Sequence, residues 1–275
     1  MLEKITFTNH MNESINFGED GIFVNSSDVH DYSWEVTSYN NKINAFSKGV
    51  VTKSLPVIIA CSSEEEGIEK RNRLMEVAEK DVLAKKRGRL LVNDYYMDCY
   101  ITASKKEQYL KYKQFMQATL TVVTDYPSWI SETTYTFGGV ADPDASGHNF
   151  DYNYDFPYDY MSAMMSQTVK NPYFTDSNFR LVIYGPTLNP AVVINGHVYN
   201  VNVTIEAGEY LVIDSMRKTI TLYKNGDVQV NCFDKRNRNS YIFEKIAIGS
   251  VPVSWEGNFV FDVVLLEERS EPKWI

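Results

Sequence analysis

Between Ile183 and Gly226 this chain carries turn chemistry at nearly regular intervals: Gly185-Pro186, Asn189-Pro190, Asn195-Gly196, Ala207-Gly208 and Asn225-Gly226. The residues between these points alternate β-branched or aromatic side chains with polar ones, as in VVINGHVYNVNVTI and EYLVIDS. Asn-Gly between such runs is a strong hairpin signal, because a tight hairpin turn needs positive φ that Asn and Gly reach at little steric cost. A segment punctuated this often has no room for a helix of ordinary length. From Phe179 to the apolar run ending at Leu266 the pattern is strand and turn, and no helix-length periodicity appears after residue 166. A β-sandwich is the expected architecture of this half.

The first half differs by one element. Short strands are expected at Ile5–Phe7, Ile15–Phe17 and Ile22–Val24, and longer ones at Ser33–Tyr39, Gly49–Cys61, Arg89–Val92, Tyr95–Ala103 and Gln114–Thr124. Between them lies one well-signed helix. Ser63 with Glu66 makes a capping box, Glu64 to Glu66 sit at the positive end of the macrodipole, and Lys85, Lys86 and Arg87 sit at the negative end. Gly88 is the expected stop. Ile68, Met75, Ala78 and Val82 share a face, with Leu74 and Leu83 on its margins, so a single apolar stripe is expected to cover a sheet. Gln108–Lys113 is polar and reads as a loop reaching past the sheet.

Composition changes at Gly138–Met165, where Gly, Pro, Asp and Asn mix with Tyr152, Tyr154, Tyr158 and Tyr160. We therefore divide the chain into a first domain over 1–135, a linker or extended loop over 136–165, and a second domain over 166–275. The apolar fraction of 44% is that of a globular protein, and the net charge of −9 argues against a general nucleic-acid binder. Three widely spaced cysteines, Cys61, Cys99 and Cys232, form no disulfide framework and no CxxC pair, which fits free thiols and synthesis in a cytoplasm. No secretion signal and no membrane segment is read.

Candidate chemistry is sparse. Phosphate-cradling, zinc-protease and nucleophile-elbow motifs are missing. The four histidines, His10, His30, His148 and His197, have no metal-ligating neighbours at a recurring spacing. Asp142, Asp144, Ser146 and Gly147 match part of a calcium loop, but position 12 is Asn153, so a polar turn is expected. The acidic pairs Asp151/Asp155 and Glu267/Glu268 read as chance pairs among 36 acidic residues. Lys235-Arg236-Asn237-Arg238 reads as a solvated loop or partner contact. No catalytic, cofactor-binding or metal-binding residue is assigned, and no cofactor is expected.

Taken in order, the segments GIFVNSSDVHDYSWEV, SKGVVTKSLPVIIACSS with its charged helix, RGRLLVNDYYMDCYI, IYGPTLNPAVVINGHVYNVNVTIEAGEYLVIDS, KTITLYKNG and WEGNFVFDVVLLEERSEPKWI resemble the bacteriophage distal tail proteins (Dit). The resemblance covers nearly the whole chain and lies in the ordered series. It implies a mainly β protein: a β-sandwich or barrel-like tail-tube domain with one flanking helix, followed by a galectin-like β-sandwich. It further implies a non-enzymatic virion component, a homohexameric ring at the tail tip. Its expected partners are further copies of itself, the tail tube protein and a tail-fibre or receptor-binding protein. DNA would pass through without specific binding, along a wall expected to be partly acidic. The chain lacks the His-x-Asn-x-Arg run of true galectins: His197 is followed by Val198 and Tyr199, with Asn200 next. The rival expectation is a carbohydrate-binding module that uses Trp255 and the linker tyrosines.

Overall fold

A computed structural model describes residues 3–25, 27–111, 115–138, 164–256 and 259–274. It is mainly β, with antiparallel sheets and, among the described residues, one α-helix, and it divides into two compact units. Unit 1 comprises Met1–Ser131 with Glu268–Ile275, and unit 2 comprises Glu132–Glu267.

The strands of unit 1 are β1 (Ile5–Thr8), β2 (Ser14–Phe17), β3 (Ile22–Val24), β4 (Glu35–Tyr39), β5 (Lys42–Ser47), β6 (Val51–Ala60), β7 (Gly88–Val92), β8 (Tyr95–Lys111) and β9 (Phe115–Thr124). The helix α1 (Glu64–Ala84) lies between β6 and β7. β10 (Trp129–Phe137) begins in this unit, where Ile130 pairs with Tyr96. One long strand links two sheets. Tyr95–Cys99 of β8 pairs with β7 in the order β2–β1–β7–β8, whereas Tyr100–Lys111 pairs with β9, which continues through β6 to β3. Register shifts after Ile101, Lys106 and Gln108 mark the bulges that let so long a strand bend from one sheet to the other. Strand extends as far as Lys111, into the stretch expected to be a loop.

Alternation explains which way each strand faces. Leu55, Val57 and Ile59 of β6, with Met116, Ala118, Leu120 and Val122 of β9, all point inward at period two. They meet Phe7, Ile15, Leu90, Met97 and Trp129 in the core of this unit. Burying each of these large side chains contributes about 1.5–3 kcal/mol.

The helix begins as expected and ends differently. Ser63 is the N-cap, its hydroxyl accepting from Glu66 N, while the Glu66 carboxylate accepts from Ser62 N at 2.7 Å and not from Ser63. Lys85 takes the left-handed C-cap at φ 53°, so the stop comes three residues before Gly88, which opens β7. The buried face comprises Gly67, Leu74, Val77, Ala78 and Asp81. Only Ala78 of the four expected stripe residues is fully buried, and Ile68, Val82 and Leu83 are exposed. The helix is rotated because Asp81 is turned inward. Its Oδ1 accepts from the His10 backbone N–H at 2.8 Å and pairs with His10 Nδ1 at 2.6 Å.

Unit 2 holds β11 (Met164–Asn171), β12 (Asn178–Tyr184), β13 (Thr187–Leu188), β14 (Ala191–Ile194), β15 (His197–Asn200), β16 (Thr204–Ile205), β17 (Tyr210–Asp214), β18 (Thr219–Lys224), β19 (Val228–Asn231), β20 (Gly249–Glu256) and most of β21 (Phe261–Arg269). One sheet runs β19–β18–β17–β12–β21 and the other β11–β20–β14–β15. Phe179, Leu181, Ile183, Leu211, Ile213 and Phe261 of the first meet Val192, Ile194, Tyr199, Val253 and Trp255 of the second in one core. A short 3-10 turn over Phe233–Lys235 is the only helical element among the described residues here.

The turns follow local chemistry. Asn195 (φ 52°) and Gly196 (φ 78°) join β14 to β15 as a two-residue turn. Asn225-Gly226 forms a longer turn: Lys224 pairs with Val228, and the positive φ values fall on Gly226 and Asp227. Gly185 is required by space, since a Cβ there would lie 2.0 Å from the Glu206 carbonyl oxygen.

Candidate functional site

The three described histidines among the polar residues singled out by sequence are occupied by structural bonds. His10 is tied to Asp81, and its neighbour Asn9 donates to the Val77 carbonyl, so the pair fastens the β1–β2 turn to α1. His30 Nε2 lies 2.7 Å from Glu3 Oε1, and its ring stacks on Trp274 at 4.0 Å. His197 stands 3.0 Å from the Ser240 hydroxyl, a spacing that would suit a nucleophile and its base. The bonding engages both groups in other ways. His197 Nε2 also faces the Tyr241 carbonyl at 2.9 Å, so it carries the proton, and Ser240 donates to the Val198 carbonyl.

The acidic pair Glu267/Glu268 cannot converge on one substrate, because consecutive strand residues point to opposite faces. Glu267 is buried, and Glu268 accepts from the Tyr126 hydroxyl, whose pKa is pushed up chiefly by burial and further by that carboxylate. In the basic cluster, Arg236 lies over the Phe233 ring at 3.8 Å and donates to its carbonyl, while Lys235 and Arg238 are exposed. His148, Asp151, Asp155, the loop Asp142–Asn153 and Tyr152, Tyr154, Tyr158 and Tyr160 lie outside the described residues. Among the described residues no cluster of three metal-ligating side chains occurs.

Trp255 corrects one expectation. It is 1% exposed and packs edge-on against Phe137 and Phe261, so it offers no face to a sugar. An aromatic row does cross the outer face of unit 2, where Tyr184, Tyr210 and Tyr223 are paired in register. Tyr210 and Tyr223 stack at 4.8 Å and 8°, which turns one face of each ring toward the other. Tyr184 donates to Asp262, and that bond raises its pKa to about 12.

The feature that stands out is a surface. β4 and β5 form a two-stranded hairpin separate from the main sheets, and every one of its residues is exposed. Sequence reading missed β5. Its signal was the Asn40-Asn41 pair, both at positive φ (48° and 58°), between two runs holding β-branched and aromatic residues. The register shifts after Thr37, so that Ala45 pairs with Thr37 and Ile43 with Ser38, skipping Asn44. That bulge brings Ile43 to the same side as Val36 and Phe46. The result is one apolar face, with Val36 54%, Ile43 61% and Phe46 60% exposed. Isolated hairpins are marginal in water, and contiguous exposed apolar faces mark interaction sites.

Neither a scan of protein-family models nor a search of curated proteins finds a match for this chain. Solved structures do match it. The Dit protein of phage SPP1, described as a paradigm of the hub adsorption apparatus in phages infecting Gram-positive bacteria, aligns with a TM-score of 0.58 at 9% identity. That alignment covers 98% of this chain and 100% of the SPP1 chain. A chain of the phage P2 baseplate in its activated conformation, solved with calcium and with strontium, aligns with a TM-score of 0.62 at 14% identity, covering 99% and 100%. At these identities the likeness establishes a shared fold over the full length.

Proposed function

We propose that this chain is a structural hub of a phage tail tip, acting through surfaces and without catalysis. The observation that carries the reading is the completeness of the match: both units, in order, follow an SPP1 protein described as an adsorption hub, with 98% of this chain and 100% of that one covered. In this reading unit 1 is the tube-like, ring-forming domain, and unit 2 is a galectin-like sandwich facing the adsorption apparatus. The ring is hexameric. It joins the tail tube protein on one side to a tail-fibre or receptor-binding protein on the other.

Two features support a role in surfaces. The polar residues most suggestive of chemistry are engaged in bonds that hold the fold, and unit 1 presents an apolar hairpin out of keeping with a protein that works alone. Loss of Trp255 as a platform removes the best sequence-derived support for the glycan reading. The test is absolute mass by light scattering across concentration and salt, followed by negative-stain imaging. Closed particles of about 190 kDa with a central hole are expected, since hexamers multiply the 31.6 kDa chain. A monomer at all concentrations, alone and with purified tail tube protein, would overturn the reading.

A further inference from the structure

We propose that unit 2 docks an acidic segment of a partner protein on a cationic, aromatic surface built by the loop 232–248 and the β17–β18 turn. The proposal rests on the hub reading above and names the chemistry of what unit 2 holds. Charge is sorted within this unit. Seven of its nine basic residues fall between Arg217 and Lys245, whereas thirteen of its sixteen acidic residues lie elsewhere.

Folding gathers the two ends of this stretch. Arg236 lies over the Phe233 ring at 3.8 Å, and Phe233 stacks on Phe243 at 6.1 Å. Lys218, from the β17–β18 turn, stands 5.3 Å from the Phe243 ring and 5.5 Å from that of Tyr241. Lys235 and Arg238 flank Arg236 in the chain, and both are exposed. None of these four cations forms an ion pair among the described residues, and neither do Asp234 and Glu244, the acidic residues of the loop. Like charges collected on one part of an otherwise acidic unit repel one another and attract a partner of opposite sign.

The loop that carries them is held in one shape. Between β19 and β20 its only regular element is the 3-10 turn, and irregular loops longer than about 12–15 residues are uncommon in compact domains unless they serve function or linkage. The carbonyls of Tyr241, Glu244 and Ile246 accept from His197 Nε2, the Tyr199 hydroxyl and Asn171 Nδ2 at 2.9, 2.8 and 3.0 Å. Asn237 N donates to the Asn200 carbonyl at 3.1 Å, and the Ser240 hydroxyl to that of Val198 at 2.6 Å. The ordering cost of the loop is thus met on folding and does not fall on binding. Arg236 spends Nη1 on the Phe233 carbonyl, which fixes its stacked plane and leaves further N–H groups for a carboxylate.

Composition selects a protein over a polyanionic strand. Single-stranded nucleic acids are held by a positively charged groove that tracks the backbone. Here the cations surround an aromatic cluster in which Tyr241 is 56% exposed, and Arg with Tyr is the composition of protein interface hot spots.

The test is fluorescence anisotropy of the full chain with two labelled probes of equal charge, a peptide rich in Glu and Tyr and a single DNA strand. Saturable binding of the peptide is expected, tighter than that of the DNA. Lys235→Glu with Arg238→Glu, which changes exposed residues only, is expected to weaken peptide binding by about tenfold or more. Arg236→Lys keeps the charge and loses the fork, and is expected to weaken it by about threefold. Matching urea midpoints verify that the fold is kept. Absence of saturable binding, equal binding by the double variant, or DNA held as tightly as the peptide overturns the inference. So does loss of self-association in the double variant, which would make a second copy the occupant. Light scattering on the same samples reads the ring separately: particles without peptide binding sink this inference alone, and a strict monomer that binds the peptide sinks the hub reading alone.

Discussion

A Cβ at Gly88 would lie 2.2 Å from the buried Oδ2 of Asp81 and 2.9 Å from both Phe7 Cζ and the Thr8 carbonyl oxygen. At Gly196 the same atom would meet nothing within 4 Å, but φ is +78°. The two glycines thus separate lack of space from torsional strain. Gly88→Ala is expected to cost about 1–3 kcal/mol through overpacking against backbone and a buried carboxylate. Gly196→Ala is expected to cost about 1–2 kcal/mol from the left-handed conformation alone. Urea unfolding of the two variants measures both. Asn195-Gly196 could be assigned from two adjacent letters, whereas the need at Gly88 comes from residues seven and eighty positions away. Trp255 belongs at this scale too. Trp255→Ala is expected to cost about 3–5 kcal/mol, read as a lower denaturant midpoint for unit 2, because a fully buried indole leaves a cavity.

At the scale of elements, α1 shows which parts of a helix are local. Its start depends on neighbouring residues: the Ser63 hydroxyl receives Glu66 N, and the Glu66 carboxylate receives Ser62 N–H and the Lys70 ammonium. These bonds, Lys70 first and Ser62 next, hold the Glu66 carboxyl at about 2 against an ordinary 4.5. Because the folded pKa is depressed, the stabilisation is complete above pH 4.5 and is lost as pH falls from there through about 2. Glu66→Gln is therefore expected to be less stable than the parent at neutral pH, with the difference closing over that acid window. Thermal unfolding of both proteins from pH 7 to pH 2 measures it; a difference constant with pH would refute the assignment. The face of the helix was not local. Periodicity found an apolar stripe but could not rank it against a second face carrying Leu74, Val77 and Asp81. A carboxylate is an improbable core residue until His10, from a distant turn, supplies its partner.

At the scale of the whole molecule, the hairpin is the part whose removal tests the proposed assembly without touching the core. None of its residues is buried, so replacing Val36–Phe46 by a short Gly-Ser turn is expected to leave the unfolding midpoint nearly unchanged. The same change is expected to abolish self-association in light scattering. A shortened protein that still forms particles of the parent's mass would show that the hairpin has no part in the proposed assembly. The mainly β fold with one helix in its first half could be read in advance because alternation, turn residues and caps act over a few residues. The sharing of β8 between two sheets could not, since it depends on which strands approach Tyr95–Cys99 and which approach Tyr100–Lys111. Sequence by itself determined most of the elements and most turns, through backbone torsion and short-range hydrogen bonding. Tertiary structure decided which apolar residues are core and which are surface: Trp255 went inside and Ile68, Val82, Ile43 and Phe46 stayed outside. Hydrophobicity is a property of a side chain, whereas burial depends on the elements that pack over it.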